Sequence, residues 1–251
     1  MNQKMPWRVI MKYNNPISPS CIDNMLDELW LNENSLVLDI GCGNGELIKR
    51  VLDKFNCQAV VIEIDELEMA KAKENLDSYV DQVTFHTAAF KDVELPKGAF
   101  DACFSLGSTH AFGDVGEALD NALSDMKSLI VSDGVIVFGD AYWRKEPDKE
   151  YLRATGIDPL ELRSNLQNIE AGNQSGLECV YVVHASYEDW DTFESSFWLA
   201  SERELLRDPE NVELLDKVTT TRIWKDAYLK WGRETMGFAL YMFINSTTQC
   251  T

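Results

Sequence analysis

Apolar residues along this chain fall into two alternating patterns. Short unbroken runs, such as Leu36-Val37-Leu38 and Val60-Val61-Ile62, suit strands buried on both faces. Between them lie stretches with apolar positions three and four residues apart, the spacing of an amphipathic helix. The first such stretch opens at Ser18-Pro19, an N-cap followed by proline in the first turn, and carries Ile22, Met25, Leu26, Leu29 and Trp30. Strands are then predicted over 35–40, 59–64, 82–86, 100–106 and 135–139. Helices are predicted after residue 45 and over 66–79 and 115–130, with Asp133-Gly134 as a turn. A helix over 160–171, a sixth strand over 177–183 and a seventh over 238–244 complete the series. The 187–237 stretch between the last two strands reads as two helices. One carries Tyr187, Trp190, Phe193, Phe197 and Trp198; the other carries Leu214, Val218, Trp224, Tyr228 and Trp231. Strands that alternate with helices predict an α/β fold with a mostly parallel, doubly wound sheet.

The chain has 251 residues, enough for one domain with an insertion. Its formal net charge of -19 repels phosphate backbones and anionic membranes at long range, which argues against nucleic-acid and membrane partners. Six cysteines show neither a C-x-x-C pair nor a histidine at metal spacing, so free thiols and no metal site are expected. The start of the chain is polar and broken by charges, without the apolar core of a signal peptide. A cytoplasmic protein is the reading that follows.

The chemistry concentrates where the first predicted strand ends, in Val37-Leu38-Asp39-Ile40-Gly41-Cys42-Gly43-Asn44-Gly45. A strand that passes through glycines into a helix lets the backbone approach a ligand and presents helix N–H groups to it. The spacing is G-x-G-x-G, whereas nicotinamide-dependent oxidoreductases use G-x-G-x-x-G. Glu63, at the end of the next strand, stands 20 residues after Gly43, where an acid can accept hydrogen bonds from ribose hydroxyls.

These residues resemble the first motif and following acid of class I S-adenosylmethionine-dependent methyltransferases. The resemblance implies a Rossmann-like seven-stranded sheet with an antiparallel last strand and a helical insertion before it. It implies S-adenosylmethionine as cofactor and S-adenosylhomocysteine as product. It assigns Asp39, Gly41, Cys42, Gly43 and Gly45 to the amino-acid end of the cofactor and Glu63 to the ribose, with Ile64 also in the cofactor site. Ala88, Ala89 and Phe90 would meet the adenine; the family's acid in that segment is missing here, so adenine recognition would rely on backbone groups, Phe90, or Asp92 from a shifted loop. Ser105 and Leu106 end the fourth strand beside the cofactor. The segments 108–113, 139–143 and 237–241 look like a bacterial branch acting on small molecules, and no Asp/Asn-Pro-Pro-Tyr follows the fourth strand.

Methyl transfer from a sulfonium needs alignment more than acid–base help. His110, just past the fourth strand, is the candidate general base, with loop positioning as its other reading. Asp140 and Tyr142 are candidates for the acceptor pocket, and Trp143 adjoins them. His86 and His184 read as structural, the tryptophans of 187–237 as packing, and Asp191 and Glu194 as solvated. The chain divides into an N-terminal segment and helix (1–34), a cofactor-binding core (35–186), a helical cap (187–237), and a last strand with tail (238–251). The expected activity is methylation of a small-molecule acceptor. A non-catalytic cofactor-binding protein and a protein or RNA methyltransferase are the alternatives.

Overall fold

The computed structural model describes residues 12–246. The segments 1–11 and 247–251, with Cys250 and most of the polar start, lie outside them. The chain forms a seven-stranded sheet of order β3-β2-β1-β4-β5-β7-β6. Its strands are β1 (Leu36–Ile40), β2 (Gln58–Glu63), β3 (Val83–Thr87), β4 (Phe100–Leu106), β5 (Ile130–Trp143), β6 (Leu177–His184) and β7 (Met236–Asn245). The first five are mutually parallel, and β7 runs antiparallel between β5 and β6. The carboxyl ends of β1–β6 and the start of β7 therefore share one edge of the sheet.

Helices cover both faces. One layer holds α1 (Pro19–Asp27), α2 (Glu46–Phe55) and α3 (Glu66–Asn75), and its apolar core also takes in residues of α5 (Lys149–Thr155), α7 (Tyr187–Arg207) and α8 (Val212–Ala227), which pack on one another. The other holds α4 (Ala118–Leu129) and α6 (Asn165–Gln174). The expected N-cap is present, since Ser18 accepts from the Cys21 amide with Pro19 in the first turn. In α2, Leu47, Ile48, Val51 and Leu52 are all buried, as the helical spacing requires.

Several boundaries differ from the sequence expectation. The helix predicted from residue 115 begins at Ala118, because Gly116 holds φ +94° just before it. Asp133-Gly134 lies inside β5. Phe100 pairs with Ile130 and Ala102 with Val135, so residues 131–134 bulge out of the ladder without ending the strand. The helix predicted over 160–171 starts at Asn165, where Ser164 and Gln167 form a capping box. The α5 helix was not anticipated.

The 187–237 stretch does form two long helices, which continue into a π-turn (Tyr228–Gly232) and the short α9 (Arg233–Thr235). Its aromatic residues pack as expected: Trp190 meets Phe193 edge-on, and Trp198 meets Tyr228. Glu194 departs from the expectation of a solvated acid, because only 2% of it is exposed. It points between the helices and accepts from Trp224 Nε1 at 2.9 Å. Burial raises its pKa to about 7 against the pull of that hydrogen bond. Asp191 is partly exposed as predicted but engaged, accepting from Tyr228 and Arg233.

Candidate functional site

The glycine turn after β1 forms a rigid corner at the carboxyl edge. Gly41, Gly43 and Gly45 hold φ of +77°, +53° and +77°, conformations that side-chain-bearing residues rarely adopt. Most of the turn's amides are already paired. Gly41 and Cys42 donate to Ile62 O, Gly45 donates to Cys42 O, and Gly43 donates to Glu63 Oε2 at 2.9 Å. The β2 end thus fixes the shape of the loop, and the N–H groups expected to face a ligand are mostly spent within the protein.

The three glycines serve different neighbours. A Cβ on Gly41 would lie 2.1 Å from Ser108 Oγ, and one on Gly45 would lie 2.9 Å from Leu76 Cδ1. These two are small because other parts of the protein press on them. A Cβ on Gly43 would meet only Asn14 Nδ2, at 3.9 Å. Gly43 is therefore the position at which the missing side chain leaves room for a ligand.

Two carboxylates meet at this corner. Glu63 accepts from Gly43 N with one oxygen and from Asp65 N with the other, each at 2.9 Å. A carboxylate has about four lone-pair positions, so each oxygen can accept once more, as two vicinal hydroxyls would require. Asp39 is only 2% exposed, and its Oδ2 has no hydrogen-bond partner among the described residues. Burial, with the charge of Glu63 added, pushes its pKa up to about 8. Cys42 is buried beside it, and burial raises its thiol pKa too.

Glu63 pairs with Thr87, which brings Ala88 to the corner, and Ala88 N donates to Glu63 O at 3.1 Å. The following turn, Phe90–Asp92, sets the Phe90 ring 4.9 Å from that of Phe112. Ile64 is 67% exposed at the same edge, an apolar surface at the height of Glu63. On the other side, Ser105 is fully buried and Leu106 ends β4.

The three residues expected to be catalytic do not form one cluster. His110 stands exposed on the short helical turn Thr109–Phe112. Thr109 Oγ1 donates to Asp140 Oδ2 at 2.7 Å, and Ala141 N donates to the other oxygen. Asp140 thus ties down the turn that carries His110. Burial lifts its pKa to about 6, opposed by these two hydrogen bonds. Tyr142 leads elsewhere. Its ring lies against Gly237, where a Cβ would come within 2.2 Å of it, and its hydroxyl sits 3.0 Å from His184 Nδ1 on β6. Burial and the charge of Arg144 lower the pKa of His184 and favour the neutral imidazole.

The site also holds residues that carry no local signal in the sequence. Asn15 Nδ2 donates to Leu106 O at 3.1 Å, and its Oδ1 would lie 2.0 Å from a Cβ on Gly107. Asn44 Nδ2 donates to Lys12 O at 3.2 Å. Residues 12–15 therefore run across the turns after β1 and β4. Among the described residues, no group of three or more His, Cys, Asp or Glu side chains could hold a metal ion. No helix among them is long and apolar enough to cross a membrane.

The corner fits S-adenosylmethionine. It has clearance at Gly43, a carboxylate with spare acceptor capacity, a buried acid with one oxygen unpartnered among the described residues, and an apolar edge at Ile64 and Phe90. Comparison with known proteins agrees. Residues 37–134 match the methyltransferase-domain family model. The chain is 24% identical over 238 residues to the uncharacterized protein YjhP of Escherichia coli K12, covering 93% of this chain and 94% of the relative. It has the fold of the S-adenosylmethionine-dependent methyltransferase of Geobacter sulfurreducens, solved with S-adenosyl-L-homocysteine: TM-score 0.80, 22% identity, 94% of each chain covered. A Thiobacillus denitrificans methyltransferase, solved with the same compound, superposes with TM-score 0.81 at 22% identity, covering 94% of this chain and 95% of that one.

Proposed function

We propose that the chain is a class I, S-adenosylmethionine-dependent methyltransferase that methylates a small-molecule acceptor by in-line transfer, a reading supported by the methyltransferase-domain match over residues 37–134. The observation that carries this reading is the corner where Glu63 grips the amide of Gly43, the glycine of the β1 turn whose missing side chain leaves clearance. In this reading Glu63 accepts the ribose hydroxyls, and the Gly41–Gly45 turn holds the amino-acid end over Asp39. Ile64, Ala88, Ala89 and Phe90 border the base, and Ser105 and Leu106 border the reacting end. When bound, the cofactor supplies an electrophilic methyl group on a good leaving group. The protein's task is then to align the acceptor and exclude water.

In this reading His110 takes the acceptor's proton, and the Thr109–Asp140 hydrogen bond holds its turn. Tyr142, paired with His184, forms the far wall. Residues 35–186 with 238–245 make the cofactor-binding core, 12–34 cross its rim, and 187–237 cap its carboxyl edge. A net charge of -19 supports a metabolite acceptor over a nucleic acid.

The test combines calorimetry with S-adenosylhomocysteine and incubation with methyl-labelled S-adenosylmethionine plus fractionated cell extract. Binding with label in the metabolite fraction is the expected result. Label in macromolecules would replace the small-molecule reading. Binding without transfer would make the chain a non-catalytic cofactor-binding protein.

A further inference from the structure

Arg144 follows the last residue of β5 and is held in a fixed pose. Its guanidinium carbon lies 5.8 Å from the ring centroid of Tyr142 and 4.7 Å from that of Tyr187. Nε donates to Met236 O at 2.8 Å and Nη2 to Ala185 O at 3.3 Å. Both partners are neutral carbonyls. Among the described residues no carboxylate lies within salt-bridge distance of this partly buried cation, in a chain with 42 acidic against 23 basic side chains. The other partly buried arginines do have acids: Arg50 pairs with Asp23 and Glu46, Arg163 with Asp120, and Arg233 with Asp191. Two acids of α7 and α9 are engaged elsewhere, Asp191 with Tyr228 and Arg233, and Glu234 with Tyr187 and Arg233.

A guanidinium withdrawn from water without a counter-charge is costly, and a bound anion would remove that cost. Arg144 offers five N–H donors, of which the side-chain contacts above use two. The rest form a fork that fits a carboxylate or phosphate with two parallel hydrogen bonds. Position supports a ligand role. Gly139 pairs with Leu106 at the cofactor corner, and Asp140, Tyr142 and Arg144 follow along one face of the chain. At about 3.3 Å per residue, Arg144 lies roughly 16 Å beyond that corner, within the span of a metabolite reaching back to the methyl.

We propose that Arg144 anchors an anionic group of the acceptor, a carboxylate or a phosphate, at the end remote from the reacting atom. This rests on the acceptor lying along β5, as in the function proposed above. It narrows the substrate class to small anions.

The test titrates benzoate, inorganic phosphate and the neutral isostere benzamide into the protein, with and without S-adenosylhomocysteine. Benzoate or phosphate is expected to bind at least tenfold more tightly than benzamide, and the stronger of the two identifies the anion. Arg144→Gln should weaken that anion at least tenfold and Arg144→Lys by less, with S-adenosylhomocysteine affinity unchanged. Should the glutamine variant fail to fold, phenylglyoxal labelling of the natural protein, mapped by mass spectrometry, replaces it. The bound anion should then protect Arg144, and benzamide should not. Equal affinity for benzamide, no anion binding, or unprotected Arg144 would overturn the proposal. Failure of S-adenosylhomocysteine to bind would sink the cofactor reading, while the titrations without it still judge Arg144.

Discussion

Replacing Asp39 with Asn should make the protein's stability less sensitive to pH, by an amount the structure sets. Asp39 is 2% exposed, with one oxygen unpartnered, and burial beside Glu63 lifts its pKa from 3.8 to about 8. Between those values the folded protein holds a proton on Asp39 that the unfolded chain has released. The folded state then binds more protons than the unfolded state, so this group's contribution to stability falls as pH rises through the window and levels off above about 8. The slope is at most about 1.4 kcal/mol per pH unit, so from pH 5 to pH 7 the natural protein should lose up to about 2.7 kcal/mol relative to Asp39→Asn. Against a typical total of roughly 5–15 kcal/mol, such a loss is readily measured. Urea unfolding followed by tryptophan fluorescence at pH 5, 6 and 7 gives both curves. Other titrating groups cancel in the difference, apart from those coupled to Asp39. If the two proteins stay parallel across that range, within about 0.5 kcal/mol, Asp39 is ionised in the fold and the reasoning fails.

Four further outcomes are expected. Gly43→Val should abolish S-adenosylhomocysteine binding by filling the space above the turn. Its cost to the fold should be the roughly 1–2 kcal/mol of forcing a left-handed conformation, and unchanged calorimetric affinity would refute the corner. Glu63→Ala should weaken that binding by about 1–3 kcal/mol, whereas an effect near zero would move the ribose contact elsewhere. His110→Gln should lower kcat by roughly a hundredfold and leave cofactor affinity intact; an unaffected rate would leave His110 no part in proton transfer. Gly237→Ala should destabilise the protein by about 1–3 kcal/mol, because its new methyl would overlap the Tyr142 ring; chemical denaturation with no shift in midpoint would contradict that packing.

The sequence determined the features that depend on near neighbours. The apolar runs and helical stripes follow from side-chain periodicity, which a buried strand or amphipathic helix imposes locally. They located all seven strands and most helices, although β5 begins five residues before its predicted start and runs four past its predicted end. The Asp39–Gly45 turn and the acid at Glu63 were legible for the same reason, because one βα unit and the next strand end contain them.

What the tertiary structure alone decided depends on contacts between distant segments. β7 slips between β5 and β6, a pairing that no local pattern specifies. Asn15 reaches Leu106 across 91 residues, and Ser108, 67 residues past Gly41, explains why Gly41 must be small. Tyr142 and Asp140 are two residues apart, yet one bonds His184 and the other Thr109. Glu194 reads as a surface acid until two helices close over it, and only the packing leaves Arg144 without a paired carboxylate among the described residues. Local periodicity records which face of an element is buried. What that face meets is set by how the elements pack, and in this protein the chemistry of the acceptor side lies in that packing.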